Sequence, residues 1–238
     1  SYLIQDSPKP IVITGSQKSI ALTDTDARRN LYNSFLYAVD RDSHDVSLVF
    51  DGRVILGTRA RKERSKSFNA FSSVDYPERA VIRDGRLIRY LAPQPYAYGA
   101  EPVCYDKLEE KVLLLTLIPG MGAEALELLR DSYRAVILQS FGVGGLPEGG
   151  NGPLAQAMEE WLAAGKTIVM MTQVPYEGSD MAVYEVGQQV KERFQLMEAY
   201  NMTLEAATAK LMWVLGQTGD PREIRELFYR PVQFDVIQ

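Results

Sequence analysis

The order of apolar and polar residues predicts a strand and then a helix at the start of the chain. Residues 10–14, Pro-Ile-Val-Ile-Thr, form a short β-branched run that is typical of a strand buried on both faces of a parallel sheet. Residues 15–17 end the run. Residues 24–40 have helical spacing, with Thr25 or Asp24 as the N-cap. This spacing places four apolar residues on one helix face: Leu31, Phe35, Leu36 and Val39.

A hairpin and a long irregular stretch follow the helix. Residues 46–51 predict a strand, which an Asp-Gly pair turns into a second strand at 53–56. Between residues 76 and 105, prolines and charged residues interrupt every periodic pattern, although another Asp-Gly pair at 84–85 marks a turn. We interpret residues 93–110 as a linker between two domains.

After the linker, apolar strands alternate with single helices. The predicted strands cover residues 112–117, 135–139 and 167–171, and the predicted helices cover residues 123–132, 152–164, 203–216 and 220–227. Strands separated by single helices indicate a parallel sheet with right-handed crossovers. The pattern therefore predicts a two-domain α/β protein.

Composition narrows the possible functions. The chain has 238 residues, of which 46% are hydrophobic and 24% charged, so it can bury a substantial core. Its formal net charge of −5 is spread along the sequence, without the dense basic stripe that nucleic-acid binding requires. The longest apolar runs are shorter than the roughly 20 residues of a membrane-spanning helix. We therefore expect a globular protein that binds neither nucleic acid nor membrane.

The single cysteine and the single histidine restrict the chemistry further. Cys104 cannot form an internal disulfide, which predicts a reducing compartment, and His44 alone cannot build a His-clustered metal site. Cys104 has no histidine near it in the sequence to activate it, and His44 precedes an apolar strand as a turn residue would. A threonine or serine paired with a lysine is the conventional nucleophile and base that remains.

Segments that follow the predicted strands are the candidate binding loops, because ligands gather beyond the carboxyl ends of parallel strands. These segments are residues 14–17, 57–62, 119–122, 142–145 and 172–175. Their glycines could serve a nucleotide site, although no complete GxGxxG or GxxxxGK[ST] motif occurs, or they could simply allow tight turns. Lys62 lies in a basic run that is typical of a solvated or anion-attracting surface. The run contains Arg59, Arg61, Lys62, Arg64 and Lys66.

Several blocks of sequence are similar, in order, to the motifs of one enzyme family. Residues 9–17, KPIVITGSQ, and 25–31, TDARRNL, match KPVVITGSQ and SDARxNL. Lys62 falls at the lysine of an RGxRxxK stretch that is followed by FxAF, here FNAF. IPG at 118–120 and VILQSFGVGGLP at 136–147 match YPG and LILxSYGxGNxP. On these blocks the chain resembles the C-terminal two-thirds of the bacterial cytoplasmic (type I) L-asparaginases.

The resemblance implies an amidohydrolase that converts L-asparagine to L-aspartate and ammonia through a threonine acyl-enzyme. In the family a second threonine, an aspartate and a lysine form a proton relay, and Lys62 is the relay member in this chain. The resemblance places the nucleophile's TGGTI motif and the GTDT motif before Ser1. It also implies that residues 1–92 are the C-terminal part of a large, mostly parallel-sheet N-terminal domain and that residues 111–238 form a smaller, flavodoxin-like α/β domain. We therefore expect the 238 residues to be incomplete and inactive alone.

The resemblance assigns binding residues and partners as well. Ser16 and Gln17 are expected to line the substrate pocket through main-chain groups, with a purely structural turn as the alternative. Tyr184 is a weaker candidate for contact with a neighbouring subunit's site, with a packing tyrosine as the alternative. The family implies a cytoplasmic homodimer or homotetramer without cofactor or metal. Gln139 and Val174 stand where regulated members have an arginine and a cysteine, so allosteric control by asparagine is not expected.

Two other functions remain open at this point. One is the related ammonia-releasing subunit of a tRNA-dependent amidotransferase, which needs a large tRNA-binding partner. The other is a catalytically dead fragment that oligomerises or binds amino acids. Lys62 favours the asparaginase, because the sequence shows no structural role that would keep a lysine at this position.

Overall fold

The computed structural model describes residues 1–44, 46–92, 101–147, 152–183 and 185–237. By its internal contacts the chain divides into two compact units. Unit 1 comprises Ser1–Asp106 together with Val232–Asp235, and unit 2 comprises Lys107–Pro231 and Val236–Gln238. Unit 1 thus includes a short segment from near the end of the chain.

Unit 1 is built from short strands and the helix α1 (Ala27–Ala38). The strands are β1 (Ile4–Gln5), β2 (Ile11–Ile13), β3 (Val46–Phe50), β4 (Arg53–Leu56), β5 (Ala60–Lys62), β6 (Phe71–Ser73), β7 (Ala80–Arg83), β8 (Arg86–Ile88) and β9 (Val103–Cys104). Five of them form a mixed sheet in the order β2-β3-β4-β7-β8, in which β2 and β3 are parallel and the other neighbours antiparallel. Two antiparallel ribbons pair β5 with β6 and β1 with β9.

Both predicted Asp-Gly turns close hairpins of the mixed sheet. Asp51 and Gly52 have φ angles of 48° and 74°, and Asp84 and Gly85 have φ angles of 49° and 69°. Positive φ at both central residues is the conformation that two-residue hairpin loops favour. The hairpin β3–β4 confirms its prediction.

The hairpin β7–β8 shows that the interpretation of residues 76–105 as irregular was wrong. Its charged residues Arg83 and Arg86 occupy exposed positions of strands whose buried residues include Ala80 and Ile82, so charges do not exclude strands here.

Strand β2 lies at the edge of the mixed sheet. It pairs with β3 on one side, and Ile13 is 52% exposed while Ile11 and Val12 are half-buried. The prediction that residues 10–14 are buried on both faces was therefore wrong for this sheet. A β-branched run indicates a strand, but the position of that strand in the sheet depends on its neighbours.

Helix α1 buries polar residues of unit 1. It begins at Ala27 with Asp26 as its N-cap residue, instead of the predicted Thr25 or Asp24. Of the predicted apolar face, Leu36 packs against the core, whereas three residues are exposed: Leu31, Phe35 and Val39. The buried residues of the helix are Asn30, Asn33, Ser34 and Tyr37. The buried amides and hydroxyls imply that this helix positions backbone as well as filling space.

Unit 2 is a parallel sheet with helical connections. Its strands are β10 (Val112–Thr116), β11 (Ala135–Ser140), β12 (Thr167–Thr172) and β13 (Met197–Glu198), in that spatial order and all parallel. Its helices are α2 (Glu124–Leu129), α3 (Pro153–Ala163), α4 (Glu185–Phe194), α5 (Leu204–Gln217) and α6 (Pro221–Tyr229). The predicted alternation is confirmed, while α4 and the two-residue strand β13 were not predicted.

Burial of apolar side chains between the sheet and its helices stabilises unit 2. Leu138 of β11 and Met170 of β12 are fully buried against Met158 and Trp161 of α3. The Trp161 indole donates a hydrogen bond of 2.8 Å to the Leu126 carbonyl, so its polar atom is satisfied inside the core. Burial of each such side chain stabilises unit 2 by about 1.5–3 kcal/mol. Strands buried on both faces of a parallel sheet have continuous apolar sequences, as these strands do.

The fold confirms the predicted class, two domains of α/β type, with a mixed sheet in one unit and a parallel sheet in the other. Of the predicted linker, residues 93–100 lie outside the described residues. None of the helices in the described ranges is long and apolar enough to cross a membrane.

Candidate active site

The loop that follows β2 is held by hydrogen bonds from β3 and α1. The Thr14 hydroxyl donates to the Val49 carbonyl at 2.7 Å, and the Gly15 carbonyl accepts from the Asn30 side-chain amide at 2.9 Å. The next bond runs from the Gln17 main-chain N–H to the Asp26 carboxylate, at 2.9 Å. These bonds fix the conformation of residues 14–17 before any ligand is present.

Asp26 and Asn30 act together as the anchor of this loop. Asp26 is 8% exposed, and its carboxylate accepts the main-chain N–H groups of Gln17 and Lys18 at 2.9 and 3.1 Å. It also accepts from the Asn30 amide at 3.1 Å. Asn30 in turn accepts the Asp51 N–H at 3.0 Å, which connects the anchor to the end of β3. A carboxylate with this many donors forms strong, charge-assisted hydrogen bonds.

The structure brings Lys62 and Gln17 together. The Lys62 ammonium lies 3.3 Å from Gln17 Oε1, at the end of β5, and 5.7 Å from the centre of the Phe71 ring on the paired strand β6. The Gln17 amide nitrogen donates to the carbonyls of Ser67 and Arg64, at 2.9 and 3.3 Å. Gln17 therefore joins the loop after β2 to the loop between β5 and β6, with the lysine between them.

Ser16 lies next to this pair, and its hydroxyl has a partner within its own loop. It donates to the Lys18 carbonyl at 2.8 Å. The Lys18 ammonium forms an ion pair with Asp24, and its hydrogen bond lowers the pKa of the Asp24 carboxyl. It also lies 5.5 Å from the centre of the Phe68 ring. The Ser16 hydroxyl thus stabilises the loop, and a binding role for Ser16 through main-chain groups stays a prediction.

Three threonine hydroxyls of unit 1 donate to main-chain carbonyls. Besides Thr14, the Thr25 hydroxyl donates to the Lys18 carbonyl at 2.9 Å, and the Thr58 hydroxyl donates to the Gln233 carbonyl at 2.6 Å. A hydroxyl committed to a carbonyl in this way has a structural role. These three threonine hydroxyls are therefore bound into the structure of unit 1.

The basic run around Lys62 is not a uniform solvated surface. Lys62, Arg64 and Lys66 are exposed and Arg61 is half-buried, but Arg59 is completely buried. Burial lowers the pKa of the Arg59 guanidinium, and nearby carboxylates counter this effect. The interpretation of the whole run as a solvated surface was therefore wrong at Arg59.

The glycines at the carboxyl ends of β10 and β11 serve backbone turns. Gly120 and Gly142 have φ angles of 79° and 48°. At Gly144, with φ of 142°, a Cβ atom would lie 2.5 Å from Met181 Cγ. These conformations support the tight-turn alternative over a nucleotide site. A cavity of about 360 Å³ lies beside them; it is lined by Pro119, Gly120, Met121, Gly122, Phe141, Pro147, Pro153 and Leu154.

Gln139 is bound into a hydrogen-bond network within unit 2. Its side-chain oxygen accepts from the Thr116 hydroxyl at 2.7 Å, and its main-chain carbonyl accepts from the Gln173 amide at 3.0 Å. Gln139 is 9% exposed, whereas Val174 is 48% exposed. Neither residue presents a cation to a ligand.

Tyr184, the remaining candidate, lies outside the described residues. Within the described ranges, no group of three or more His, Cys, Asp or Glu side chains is arranged to hold a metal ion. The described part of the candidate site thus consists of the anchored loop 14–17 and Lys62.

Comparisons with known proteins identify the family. Residues 1–95 match the family model described as Asparaginase, N-terminal, and residues 111–228 match the Glutaminase/Asparaginase C-terminal domain. The L-asparaginase of Thermococcus kodakarensis is 34% identical over 237 residues, which cover 99% of this chain and 70% of that protein. The chain belongs to the asparaginase family.

Other members of the asparaginase family resemble this chain over nearly its whole length. L-asparaginase 1 of Escherichia coli K12 is 30% identical over 95% of this chain and 66% of its own length. A glutamyl-tRNA(Gln) amidotransferase subunit from Pyrococcus furiosus is 31% identical over 95% of this chain and 52% of its own length. The solved structure of the thermostable L-asparaginase from T. kodakarensis superposes with a TM-score of 0.92 at 33% identity, covering all of this chain and 71% of that one. This asparaginase-family chain therefore spans about half to seventy per cent of these relatives.

Sequence analysis missed the roles of Asp26 and Asn30. Both lie in the TDARRNL block that carried the family resemblance, but their residue types and positions indicated only the start of a helix. Their spacing of four places both side chains on one helix face, which was the available signal. Only the structure shows that this face points at the Gln17 loop.

Proposed function

We propose that this asparaginase-family protein is an L-asparaginase, which hydrolyses the side-chain amide of L-asparagine to give L-aspartate and ammonia. The nucleophile in this proposal is a threonine outside the 238 residues, which forms an acyl-enzyme that water then hydrolyses. Lys62 belongs to the relay that takes up the threonine proton. Ser16 and Gln17 bind the substrate through their main-chain groups, and Tyr184 contacts the site of a neighbouring subunit.

The observation that carries the proposal is the meeting of Lys62 with Gln17. The two residues are far apart in sequence, yet the Lys62 ammonium lies 3.3 Å from the Gln17 side-chain oxygen. Asp26 and Asn30 fix one partner, and the pairing of β5 with β6 fixes the other. A lysine side chain held against a pre-organised binding loop is an arrangement that can position a substrate beside a proton acceptor.

A lysine suits this role and an arginine does not. A threonine hydroxyl attacks an amide effectively only when a base accepts its proton, and the neutral amine of a lysine can do so. A guanidinium does not release its proton in proteins. The local charge also suits the substrate, since the cations of the basic run attract an amino-acid carboxylate.

The partner and compartment are parts of the same proposal. We propose a homodimer or homotetramer, in which Tyr184 contacts the site of a neighbouring subunit. We propose a cytoplasmic location on the basis of the single cysteine, Cys104, which is unpaired and exposed.

A second candidate function is ammonia release for tRNA-dependent amidation. The similarity to the amidotransferase protein of P. furiosus favours it, at 31% identity. The asparaginase is preferred because the chain covers 70% of the T. kodakarensis L-asparaginase and only 52% of the amidotransferase protein. A glutamine-dependent ammonia release that requires a tRNA-binding partner would establish the second function instead.

The test uses a fusion, the joined enzyme, in which the upstream segment of the T. kodakarensis L-asparaginase precedes this chain. Its release of ammonia from asparagine is measured. Lys62→Met and Lys62→Arg should each lower kcat by at least about a hundredfold, the usual effect of removing a general base. Lys66→Met removes an exposed lysine from the same run and should keep kcat within about twofold.

Two further outcomes bear on the proposal. The 238-residue chain alone should release no ammonia, because the nucleophilic threonine is supplied from outside it. Near-normal activity of the Lys62→Met enzyme, or turnover by the 238-residue chain alone, would show that Lys62 or the nucleophile has been wrongly assigned.

A further inference from the structure

A four-residue turn near the end of the chain is built into unit 1. In Val232–Asp235 the Asp235 N–H donates to the Val232 carbonyl at 3.1 Å, and Gln233 and Phe234 have φ angles of 48° and 56°. Positive φ at both central positions is the geometry of a type I′ turn, which glycine and asparagine favour. Glutamine and phenylalanine adopt it only where the surroundings hold them in place.

Two residues that directly precede β5 bind the carbonyls of this turn. The Thr58 hydroxyl donates to the Gln233 carbonyl at 2.6 Å, and Arg59 Nε donates to the Phe234 carbonyl at 2.5 Å. Thr58 is 1% exposed and Arg59 is fully buried. These bonds connect the turn to the lysine strand, since Lys62 lies three residues after Arg59.

Side chains of the turn also contact the rest of unit 1, with Asp235 fully buried and Phe234 37% exposed. The Asp235 carboxylate accepts from the Tyr2 hydroxyl at 3.0 Å and from the Val232 N–H at 2.9 Å, and it attracts the buried Arg59 charge. The Phe234 ring stacks on the Tyr76 ring, with centres 5.0 Å apart. Burial and the Asp235 charge raise the pKa of Tyr2 well above its ordinary value, so its hydroxyl remains a donor.

The strand that bears Lys62 needs such an anchor. β5 pairs with β6 in a ribbon of two strands, separate from the five-stranded sheet, and a two-stranded ribbon is marginally stable alone. One face of the ribbon packs through Ala60 and Phe71 against the core cluster of Leu48, Phe50 and Ala70. Apolar burial of this kind is non-directional, so it does not by itself fix the register of the ribbon.

We propose that the turn Val232–Asp235 positions the lysine strand, by holding Thr58 and Arg59 so that Lys62 meets Gln17. The catalytic consequence rests on the proposed function; the mechanical one does not. Thr58 and Arg59 are positioning residues in this inference, because they act through the strand that follows them. The turn Val232–Asp235 therefore supports the candidate active site of unit 1 from outside it.

Hydrogen–deuterium exchange on the 238-residue chain tests the mechanical part. Thr58→Val removes one hydroxyl at constant shape and should speed amide exchange in β5 and β6 about five- to tenfold. Thr58→Ser restores the hydroxyl and should restore slow exchange. Thr116→Val, which removes a hydroxyl bond to Gln139 in unit 2, should leave β5 and β6 unchanged.

Steady-state kinetics on the joined enzyme tests the catalytic part. Thr58→Val should lower kcat severalfold with KM within about twofold, and Thr58→Ser should recover it. Unchanged exchange in β5 and β6, or exchange that rises equally in β10–β12, would overturn the inference whatever the activity. Faster exchange with unchanged kcat would also overturn the positioning role. If the joined wild-type enzyme is inactive, the proposed function fails and the exchange measurement still decides the mechanical part.

Discussion

Removing the Asp26 carboxylate should destabilise unit 1 by about 3 kcal/mol. The carboxylate accepts the main-chain N–H groups of Gln17 and Lys18, at 2.9 and 3.1 Å, and Asp26 is 8% exposed. A hydrogen bond to a charged group contributes roughly 1.5–3 kcal/mol. We take the lower value for each main-chain bond, because water can reach part of the loop. The Asn30 amide, which also binds Asp26, keeps its second partner, the Gly15 carbonyl.

Differential scanning calorimetry of Asp26→Ala measures this loss. For a domain of about 100 residues, 1 kcal/mol shifts Tm by about 4–8 °C, so unit 1 should unfold at least about 12 °C lower. Asp26→Asn keeps the shape and one acceptor oxygen and should lose about half as much. Asp24→Ala is the matched control, since it removes an exposed carboxylate two residues away whose surface ion pair with Lys18 stabilises little, and it should leave Tm nearly unchanged. A Tm for Asp26→Ala within about 3 °C of the wild type would refute the anchor.

Three further predictions concern acid stability, regulation and a hairpin. Burial raises the pKa of Asp40, but the hydrogen bonds from Arg89, the Asp42 N–H and Ser43, together with the Arg89 charge, outweigh it and lower the pKa. The stabilisation is therefore present above the unfolded pKa of about 4 and is lost as pH falls through the lower folded pKa. Asp40→Asn should flatten this acid-induced loss of stability, measured by urea titrations at several pH values. The joined enzyme should show a Hill coefficient of one for asparagine, because Gln139 offers neutral groups already bound within unit 2, and a value clearly above one would contradict this. Gly52→Ala should lower the free energy of unfolding by at least about 1–2 kcal/mol, because Gly52 has φ of 74°. Gly52→Asn should lower it less, because asparagine tolerates that conformation. Equal losses for the two variants in chemical denaturation would argue against backbone strain.

Local signals predicted much of the fold. Asp-Gly pairs mark hairpins because both residues tolerate positive φ, and the apolar runs of unit 2 mark parallel strands because both sheet faces are covered. Prediction failed where an element is too short to repeat its period, as in the two-residue strand β13. It also failed where a residue pattern does not reveal the neighbouring strands, as at the edge strand β2. The apolar face predicted for α1 failed for the same reason as β2, because the pattern does not show what packs against the helix, and three of the four residues are exposed.

The sequence by itself determined the α/β class, the exclusion of a metal site built from several histidines and, through its motifs, the candidates Gln17 and Lys62. Each of these follows from residue type and short-range order. Only the tertiary structure decided that Gln17 meets Lys62, that Asp26 and Asn30 hold the loop, and that Arg59 binds a turn near the end of the chain. These contacts join residues that are distant in sequence, and their energies depend on burial and hydrogen-bond geometry that no local pattern contains.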